Sequence, residues 1–305
     1  MTNQSEQIQK ANRVIRDAEA ILIGAGAGLS TGAGFTYSGE RFTRYFADAE
    51  RRYGFHNMYS GGFYSYPSPE AMWAVWSRNI YVNRYMDPPK DTYQQLLNLV
   101  REKDYFVLTT NVDHCFQKAG FDKDRLFYTQ GDYGLFQCSK PCHQKTYDNV
   151  NTIRQMVLSQ GFTIDENGNL CPPKQGTPAL EVPGELIAHC PVCGRPMGLN
   201  LRSDDTFVED EDWHRAAERY SAFVDRHAEG RIIYLEIGVG YNTPGIIKYP
   251  FWRLTWQNDH AEYIVLNAEE QPVPKEIENR TIQLIGDSDE IIREITSVKS
   301  GKNSI

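Results

Sequence analysis

Apolar residues along the chain follow two rhythms. Over residues 5–19, Ile8, Ala11, Val14, Ile15 and Ala18 recur at helical spacing, which predicts an amphipathic helix. The short apolar run 20–23 follows and enters a glycine-rich turn, the pattern of a strand feeding a loop. Runs of strand length recur at 105–110, 126–129, 232–237, 263–266 and 282–285. Helical patterns lie between or after several of them. Asp91 is placed to cap a helix carrying Tyr93, Leu96, Leu97 and Val100. Trp213, Ala216, Ala217, Tyr220 and Val224 line another, with Gly230 as its expected end. Asp287 is placed to cap the last helix, whose first turn holds Asp289 and Glu290. Strands alternating with helices predict an α/β fold built on a doubly wound, Rossmann-like parallel sheet.

Two segments break the alternation. Residues 41–90 are dense in aromatics, from Phe42 to Tyr85, and predict a small inserted helical module. Residues 137–200 carry five of the six cysteines and turn signals such as Glu166-Asn167-Gly168-Asn169 and Pro172-Pro173, which predicts a second inserted module. The chain, residues 1–305, is expected to be a single catalytic domain carrying both insertions. Hydrophobic residues at 40% and charged residues at 24% exclude disordered and fibrous classes. A net charge of −8 argues against nucleic acid as a partner, because binding phosphates needs a basic surface. The apolar stretches 20–29 and 232–240 are far shorter than a membrane span. The polar first ten residues do not read as a signal peptide. A cytoplasmic location is therefore expected, with neither membrane nor nucleic acid as a partner.

Cys138-x3-Cys142 and Cys190-x2-Cys193 are two thiolate pairs, each spaced to clamp one edge of a tetrahedral Zn²⁺. Four ligands leave no open position, so the site is expected to be structural. Cys171, His143 and His189 are rival ligands. The long gap between the pairs predicts an extra hairpin. Cys115 follows a strand but nothing marks it as activated, so it reads as buried filler. Residues 24–30, Gly-Ala-Gly-Ala-Gly-Leu-Ser, follow the first strand. Small residues there let backbone N–H groups approach a pyrophosphate. The G-x-G-x-x-G fingerprint nevertheless fails, because frames starting at Gly24 and Gly26 meet Leu29 and Thr31.

The order of these pieces resembles the sirtuins. Gly26-Ala27-Gly28-Leu29-Ser30 is similar to the sirtuin GAG-[IL]-S motif, and Thr109-Thr110-Asn111-Val112-Asp113 to T-Q-N-x-D, with Thr110 in place of Gln. The cysteine pairs sit where sirtuins carry structural zinc. Residues 201–209, opening with Leu201-Arg202, resemble the segment that follows that zinc module and flanks the acceptor. Gly238-Val239-Gly240 stands where sirtuins have G-[TS]-S. Asn267 matches the adenosine-ribose Asn, and Gly286-Asp287 the last adenine loop. The resemblance runs from about residue 10 to about 298. Two departures matter. The chain continues Gly34-Phe35-Thr36-Tyr37, without the usual Asp-Phe-Arg trio, and Gln130 of Gln130-Gly131 replaces the catalytic His. This combination resembles the class M sirtuins, the macrodomain-linked protein ADP-ribosyltransferases. The resemblance implies NAD as co-substrate and structural zinc. It also implies a lipoylated glycine-cleavage H-like carrier protein as acceptor, and a macrodomain hydrolase as a partner that reverses the modification.

Side-chain chemistry agrees with that expectation. Loss of nicotinamide from NAD develops positive charge at the ribose C1′, which a preorganised site must stabilise. Asn111 has an amide suited to ribose hydroxyls or an ordered water, and Asp113 is placed to fix its geometry. Deacylation also needs a base against the ribose hydroxyls, and a glutamine amide has no usable pKa. Gln130 retains positioning without proton transfer. Arg202 is a candidate contact for a phosphate, a carboxylate or an acidic partner. Tyr37 is a candidate cover over the ribose, and the aromatics of 41–90 are candidates for an acceptor groove or a plain core. The expected catalytic residues are Asn111, Asp113, Gln130 and Arg202. The expected NAD contacts are Gly26, Ala27, Gly28, Ser30, Gly34, Phe35, Tyr37, Thr110, Asn111, Asp113, Gln130, Gly238, Val239, Gly240, Asn267 and Asp287. An NAD-dependent deacylase, an NAD or ADP-ribose sensor and an NAD hydrolase are the alternatives.

Overall fold

The first predicted helix, α1 (Gln4–Asp17), buries Ile8, Ala11 and Ile15 on one face and leads into strand β1 (Ala20–Ala25). These elements are seen in a computed structural model that describes residues 4–297; the ends of the 1–305 range, residues 1–3 and 298–305, lie outside the described residues. After β1 come α2 (Ala27–Gly32), α3 (Glu40–Tyr53), α4 (Met58–Gly62) and α5 (Pro69–Ile80), which continues as a π-helical turn over Tyr81–Tyr85. Next follow α6 (Thr92–Val100), β2 (Asp104–Thr109), α7 (Cys115–Lys118), β3 (Leu126–Tyr128) and β4 (Gly131–Cys138). The short β5 (Tyr147–Asp148), α8 (Val150–Ser159), β6 (Thr163–Ile164) and β7 (Leu170–Cys171) lead to β8 (Met197–Leu201). The remainder alternates through α9 (Glu211–Arg226), β9 (Ile232–Ile237), α10 (Lys248–Gln257), β10 (Glu262–Asn267), β11 (Thr281–Ile285) and α11 (Ser288–Ser297).

Six strands form one sheet in the order β11-β10-β9-β1-β2-β3, every neighbouring pair parallel. From β1 the chain steps outward through β2 and β3, then returns to the other side of β1 for β9, β10 and β11. The connections after β1 and β9 therefore leave in opposite directions, which opens a crevice at the carboxyl ends of that pair. Every residue of β1 and β9 is buried, as expected of strands covered on both faces. Helices α1, α6 and α11 build the core on one face, and α9 and α10 build it on the other.

The two inserted segments share one core. Phe42, Phe46 and Trp73 pack with Phe136, Ile153 and Met156. A small antiparallel sheet, β5-β4-β8, anchors that unit, and β6 and β7 form a hairpin in the gap between the cysteine pairs. Most aromatics of 41–90 are core, but Tyr59 and Phe63 of this segment are exposed.

Helix ends show where local signals were overridden. Asp287 caps α11, accepting from the backbone N–H groups of Asp289 and Glu290. Asp91 precedes α6 without capping it, because its carboxylate is engaged by the Gln95 and Arg293 side chains. Helix α9 ends at Arg226, before Gly230, and starts on Asp210, whose carboxylate accepts from the Trp213 N–H at 3.0 Å.

One charged residue lies inside the sheet. Glu236 in β9 is fully buried and pairs with the equally buried Lys248 of α10. The Tyr263 hydroxyl donates to its second oxygen at 2.8 Å. Burial raises the Glu236 pKa, and Lys248 opposes that shift. Replacing Lys248 with Met leaves a buried carboxylate without its counter-charge, a loss of about 3–5 kcal/mol. The loss grows as pH rises through the elevated Glu236 pKa, because the protonated carboxyl avoids the cost of ionisation. Urea unfolding of Lys248→Met at two pH values measures it; an unchanged midpoint at both would show that the pair carries no stability.

Candidate active site

The site is built from segments at the carboxyl ends of the parallel strands. A Ser30 hydroxyl at its centre organises three side chains. Ser30 donates to Asp113 Oδ2 at 2.5 Å, and Asn111 Nδ2 donates to Ser30 Oγ at 3.1 Å. The Tyr93 hydroxyl lies 2.9 Å from the same oxygen. Because the single Ser30 proton goes to Asp113, Tyr93 is the donor to Ser30. Burial and the neighbouring Asp113 push the Tyr93 hydroxyl pKa well above its ordinary value, which keeps that proton in place. Asn111 Nδ2 also donates to the Gly26 carbonyl at 3.0 Å. The Asn111 amide is thereby fixed with its nitrogen inward and Oδ1 left without a hydrogen-bond partner among the described residues. Asp113 Oδ1 accepts from the Cys115 N–H at 3.0 Å.

The glycine loop does something other than its sequence suggests. Gly26 N–H donates to the Ile237 carbonyl, and Gly28 N–H to the Gly238 carbonyl at 2.9 Å. These amides join the loop after β1 to the loop after β9, so they do not face a pyrophosphate. A Cβ on Gly28 would lie 2.6 Å from the Gly238 Cα. The small residues therefore permit two backbones to touch, and Ala27, between them, heads α2. The last loop joins in, since the Ser288 hydroxyl donates to the Gly28 carbonyl at 3.2 Å. Asn267 Nδ2 donates to the Val239 carbonyl at 3.1 Å, tying β10 to the Gly238-Val239-Gly240 turn, where Gly240 is exposed. Asp287 keeps one carboxylate oxygen outside its cap.

Gln130 sits at the end of β3, beside the end of β2. Thr129 N–H donates to the Thr109 carbonyl, and Thr110 N–H to the Ala25 carbonyl. The Gln130 side chain makes no hydrogen bond among the described residues. The Gln130 backbone carbonyl accepts from the Arg202 N–H at 3.0 Å. The Arg202 guanidinium pairs with Glu209 and stacks 4.4 Å from the Phe207 ring centroid, with Trp213 beside it. Gly131 makes this crossing possible: it holds φ +91°, and a Cβ there would lie 1.9 Å from the Asn200 carbonyl oxygen. Gly34, at φ +96°, abuts Pro89. Phe35 is buried, and the Tyr37 hydroxyl lies 3.0 Å from that of Tyr133. Burial, together with Tyr133, holds the Tyr37 hydroxyl pKa well above its usual value.

The four predicted zinc ligands converge. All four Sγ atoms lie within 4.8 Å of one another. Cys138 and Cys193 are 3.6 Å apart, and Cys142 and Cys190 are 3.7 Å apart. Zn–S bonds of about 2.3 Å in a tetrahedron set sulfurs about 3.8 Å apart, so the cluster fits one Zn²⁺. The rival ligands stay outside this cluster: His143 lies beside Cys142 but is bonded to the Tyr147 hydroxyl, His189 bridges Pro196, and Cys171 lies in the β6–β7 hairpin.

No family model matches the chain. A protein ADP-ribosyltransferase of Staphylococcus aureus (strain Mu50) is 38% identical over 293 residues, 96% of this chain and 88% of that protein. A probable bifunctional ADP-ribose hydrolase/ADP-ribosyltransferase of Fusarium oxysporum f. sp. cubense is 30% identical over 82% of this chain and 40% of that protein. A solved structure concerned with the mechanism and regulation of Sir2 enzymes superposes with TM-score 0.56 at 17% identity, covering 95% and 96% of the two chains. A complex of a Sir2 homologue with NAD gives TM-score 0.52 at 15% identity, covering 94% and 93%. The structural likeness shows a Sir2 fold, and the sequence likeness shows the family. This chain belongs to the protein ADP-ribosyltransferases of the Sir2 fold.

This ADP-ribosyltransferase holds polar residues near Asn111 that sequence reasoning missed. Tyr93 reads as one apolar position on a helix, and only the fold sets its hydroxyl on Ser30. His114 lies in the same recess as Asn111 and bonds Asp132. Arg41 stacks 4.6 Å from the Phe35 ring centroid and is bonded to the Thr36 and Val82 carbonyls and Asn83. It supplies an arginine beside Phe35 although the Asp-Phe-Arg trio is absent. Cys115 is buried, and burial, with Asp113 next to it, raises its thiol pKa far above the reactive range. No helix among the described residues is long and apolar enough to cross a membrane.

Elemental analysis of the purified chain is expected to find one zinc per molecule. Cys190→Ala removes a buried ligand and is expected to yield insoluble or strongly destabilised protein, because metal binding contributes directly to folding free energy. A zinc-free chain with an unaltered melting temperature would refute this.

Proposed function

We propose that the chain cleaves the bond between nicotinamide and ribose in NAD and transfers the ADP-ribose to a protein. The observation that carries this reading is the locked Asn111 amide next to a strand end occupied by Gln130. Asn111 offers a fixed acceptor, Oδ1, for the ribose, and Asp113 holds it there through Ser30. Gln130 offers an unengaged amide that positions a hydroxyl without taking its proton. Gly26, Ala27, Gly28, Ser30, Gly34, Phe35, Tyr37 and Thr110 bound the ribose and phosphate side. Gly238, Val239, Gly240, Asn267 and Asp287 bound the adenosine side. Zn²⁺ on Cys138, Cys142, Cys190 and Cys193 braces β4, the strand that follows Gln130. Arg202 meets the acceptor, its guanidinium held flat by Phe207 and Glu209.

For the acceptor we favour a lipoylated glycine-cleavage H-like carrier, on the class M resemblance. The name of the Fusarium relative, which joins hydrolase and transferase, supports a macrodomain hydrolase as the partner that reverses the modification. The departing group is neutral nicotinamide, so the first step needs charge stabilisation at C1′ rather than a base. Incubation with NAD labelled in its adenylate phosphate is expected to label the lipoylated carrier. Absence of label from both the lipoylated and unlipoylated carrier would refute the acceptor assignment.

Asn111→Ala is expected to keep NAD binding, since most contacts lie elsewhere, and to lose nicotinamide release roughly a hundredfold or more, as for one preorganised polar contact. Steady-state release near the wild-type rate would sink this role. Gln130→Ala is expected to weaken transfer only about tenfold, the value of one neutral hydrogen bond. Mass spectrometry of an acetyl-lysine peptide incubated with NAD and the natural protein should show no useful deacetylation. Efficient loss of the acetyl group would restore the deacylase reading.

A further inference from the structure

A buried chain of charges ends in the recess that Asn111 lines. Arg84, in the π-helical turn Tyr81–Tyr85, donates from Nε to Asp132 Oδ1 at 2.6 Å, and the Gly134 N–H donates to the same oxygen at 2.7 Å. The other oxygen, Oδ2, lies 2.7 Å from His114 Nδ1. A carboxylate only accepts, so Nδ1 carries a proton, and in the neutral ring Nε2 bears the lone pair. Nε2 has no hydrogen-bond partner among the described residues. His114, Asn111, Thr109, Tyr128 and Gly131 all line one recess. Burial would raise the Asp132 pKa, yet the His114 hydrogen bond and the Arg84 charge hold it below its usual value, so the carboxylate stays ionised.

A second observation is independent of those contacts. His114 has φ +65°, and no other non-glycine described residue has positive φ. That conformation is costly for a side chain with a Cβ and persists where the surroundings impose it. The strain places the ring against Asp132 with Nε2 unengaged. Asp–His–open nitrogen is the arrangement of a general base.

We propose that His114, oriented by Asp132, is the general base for the incoming acceptor. This rests on the transfer reaction proposed above and adds the residue that completes it. The bond that forms joins the acceptor atom to the ribose C1′. The bond that breaks joins C1′ to the nicotinamide nitrogen, and its electron pair leaves with neutral nicotinamide. The acceptor proton passes to His114 Nε2 and from there to water. The charged and titratable groups around the ring are Asp132 from β4, Arg84 behind it, Tyr128 from β3, Asp113 from its own loop, and Cys115 from α7.

The test uses the full chain with labelled NAD, the lipoylated carrier as acceptor, and nicotinamide release into water as a second readout. Rates are followed between about pH 5 and 9, the range that brackets histidine titration. Wild-type transfer is expected to fall as pH drops through the histidine range. His114→Asn is the chosen variant because Asn tolerates the left-handed backbone. It is expected to keep NAD affinity by calorimetry, lose transfer about a hundredfold or more, and lose the acid limb. Asp132→Asn removes the carboxylate that fixes the ring with Nδ1 protonated and is expected to lower transfer about tenfold or more with NAD affinity kept. Wild-type transfer by His114→Asn, an acid limb that persists in it, or a flat wild-type profile overturns the proposal. So does wild-type deacetylation that His114→Asn abolishes, because the ring would then serve the ribose hydroxyls. If His114→Asn fails to fold, the wild-type limb and the loss of transfer in Asp132→Asn decide, and wild-type transfer by Asp132→Asn overturns the proposal. If the wild type hydrolyses NAD but labels no carrier, the acceptor reading falls, and the same pH comparison on hydrolysis still decides the role of His114. If the wild type does not cleave NAD, both fall.

Discussion

Two backbones touch where the loop after β1 passes the loop after β9, and the crevice depends on that contact. A Cβ on Gly28 would meet Gly238 Cα at 2.6 Å, and a Cβ on Gly238 would meet Gly28 Cα at 2.5 Å. Connections that leave adjacent parallel strands in opposite directions diverge to open a crevice. Here they are also joined at its floor by the Gly26 and Gly28 hydrogen bonds. Ser288 ties the start of α11 to the same loop, and Asn267 ties the end of β10 to the turn after β9. Residues from both ends of the chain are thus held along one edge.

The second constraint is valence. A serine hydroxyl has one proton and accepts two hydrogen bonds. Ser30 gives its proton to Asp113 and accepts from Tyr93 and Asn111, so its capacity is filled. The Asn111 amide therefore has one satisfactory orientation, because a flipped amide would set an oxygen against the Gly26 carbonyl. Asp113 reaches Asn111 through Ser30. Each member of such a network is worth more than its pairwise bond, since losing one leaves another buried polar group unpaired.

How much of this was legible in the sequence follows from how local each signal is. Strands buried on both faces appear as unbroken apolar runs, so the sheet could be read. Zinc ligands arrive as two short-range pairs, so the spacing alone found them. Asp287 caps from an adjacent position and was read correctly, whereas Asp91 is taken by Arg293, about two hundred residues further along. The shared core of the inserted segments joins Trp73 to Phe136, and no periodicity reports such a pairing. The contact of Gly28 with Gly238 could not be read, because these neighbours in space are distant along the chain. Tyr93 and Asp132 were missed for the same reason: one looks like helix core, and the value of the other depends on Arg84.

Saturation elsewhere gives the remaining free atoms their meaning. Ser30, Asp113 and Tyr93 are engaged with one another, Asp132 is engaged with Arg84 and His114, and Arg202 is held by Glu209 and two aromatic rings. Against that background Asn111 Oδ1, the Gln130 amide and His114 Nε2 stand at the ends of β2 and β3 without hydrogen-bond partners among the described residues. Groups held rigidly by their neighbours need little reorganisation when charge develops beside them, which is the source of electrostatic preorganisation. The three atoms also differ in kind: a pure acceptor, a donor–acceptor amide with no usable pKa, and a nitrogen able to take a proton. A site built for deacylation would place the proton acceptor at the end of β3. Here the open imidazole nitrogen stands instead on the loop after β2, next to Asn111, and in the transfer we propose that placement separates holding the ribose from activating what attacks it.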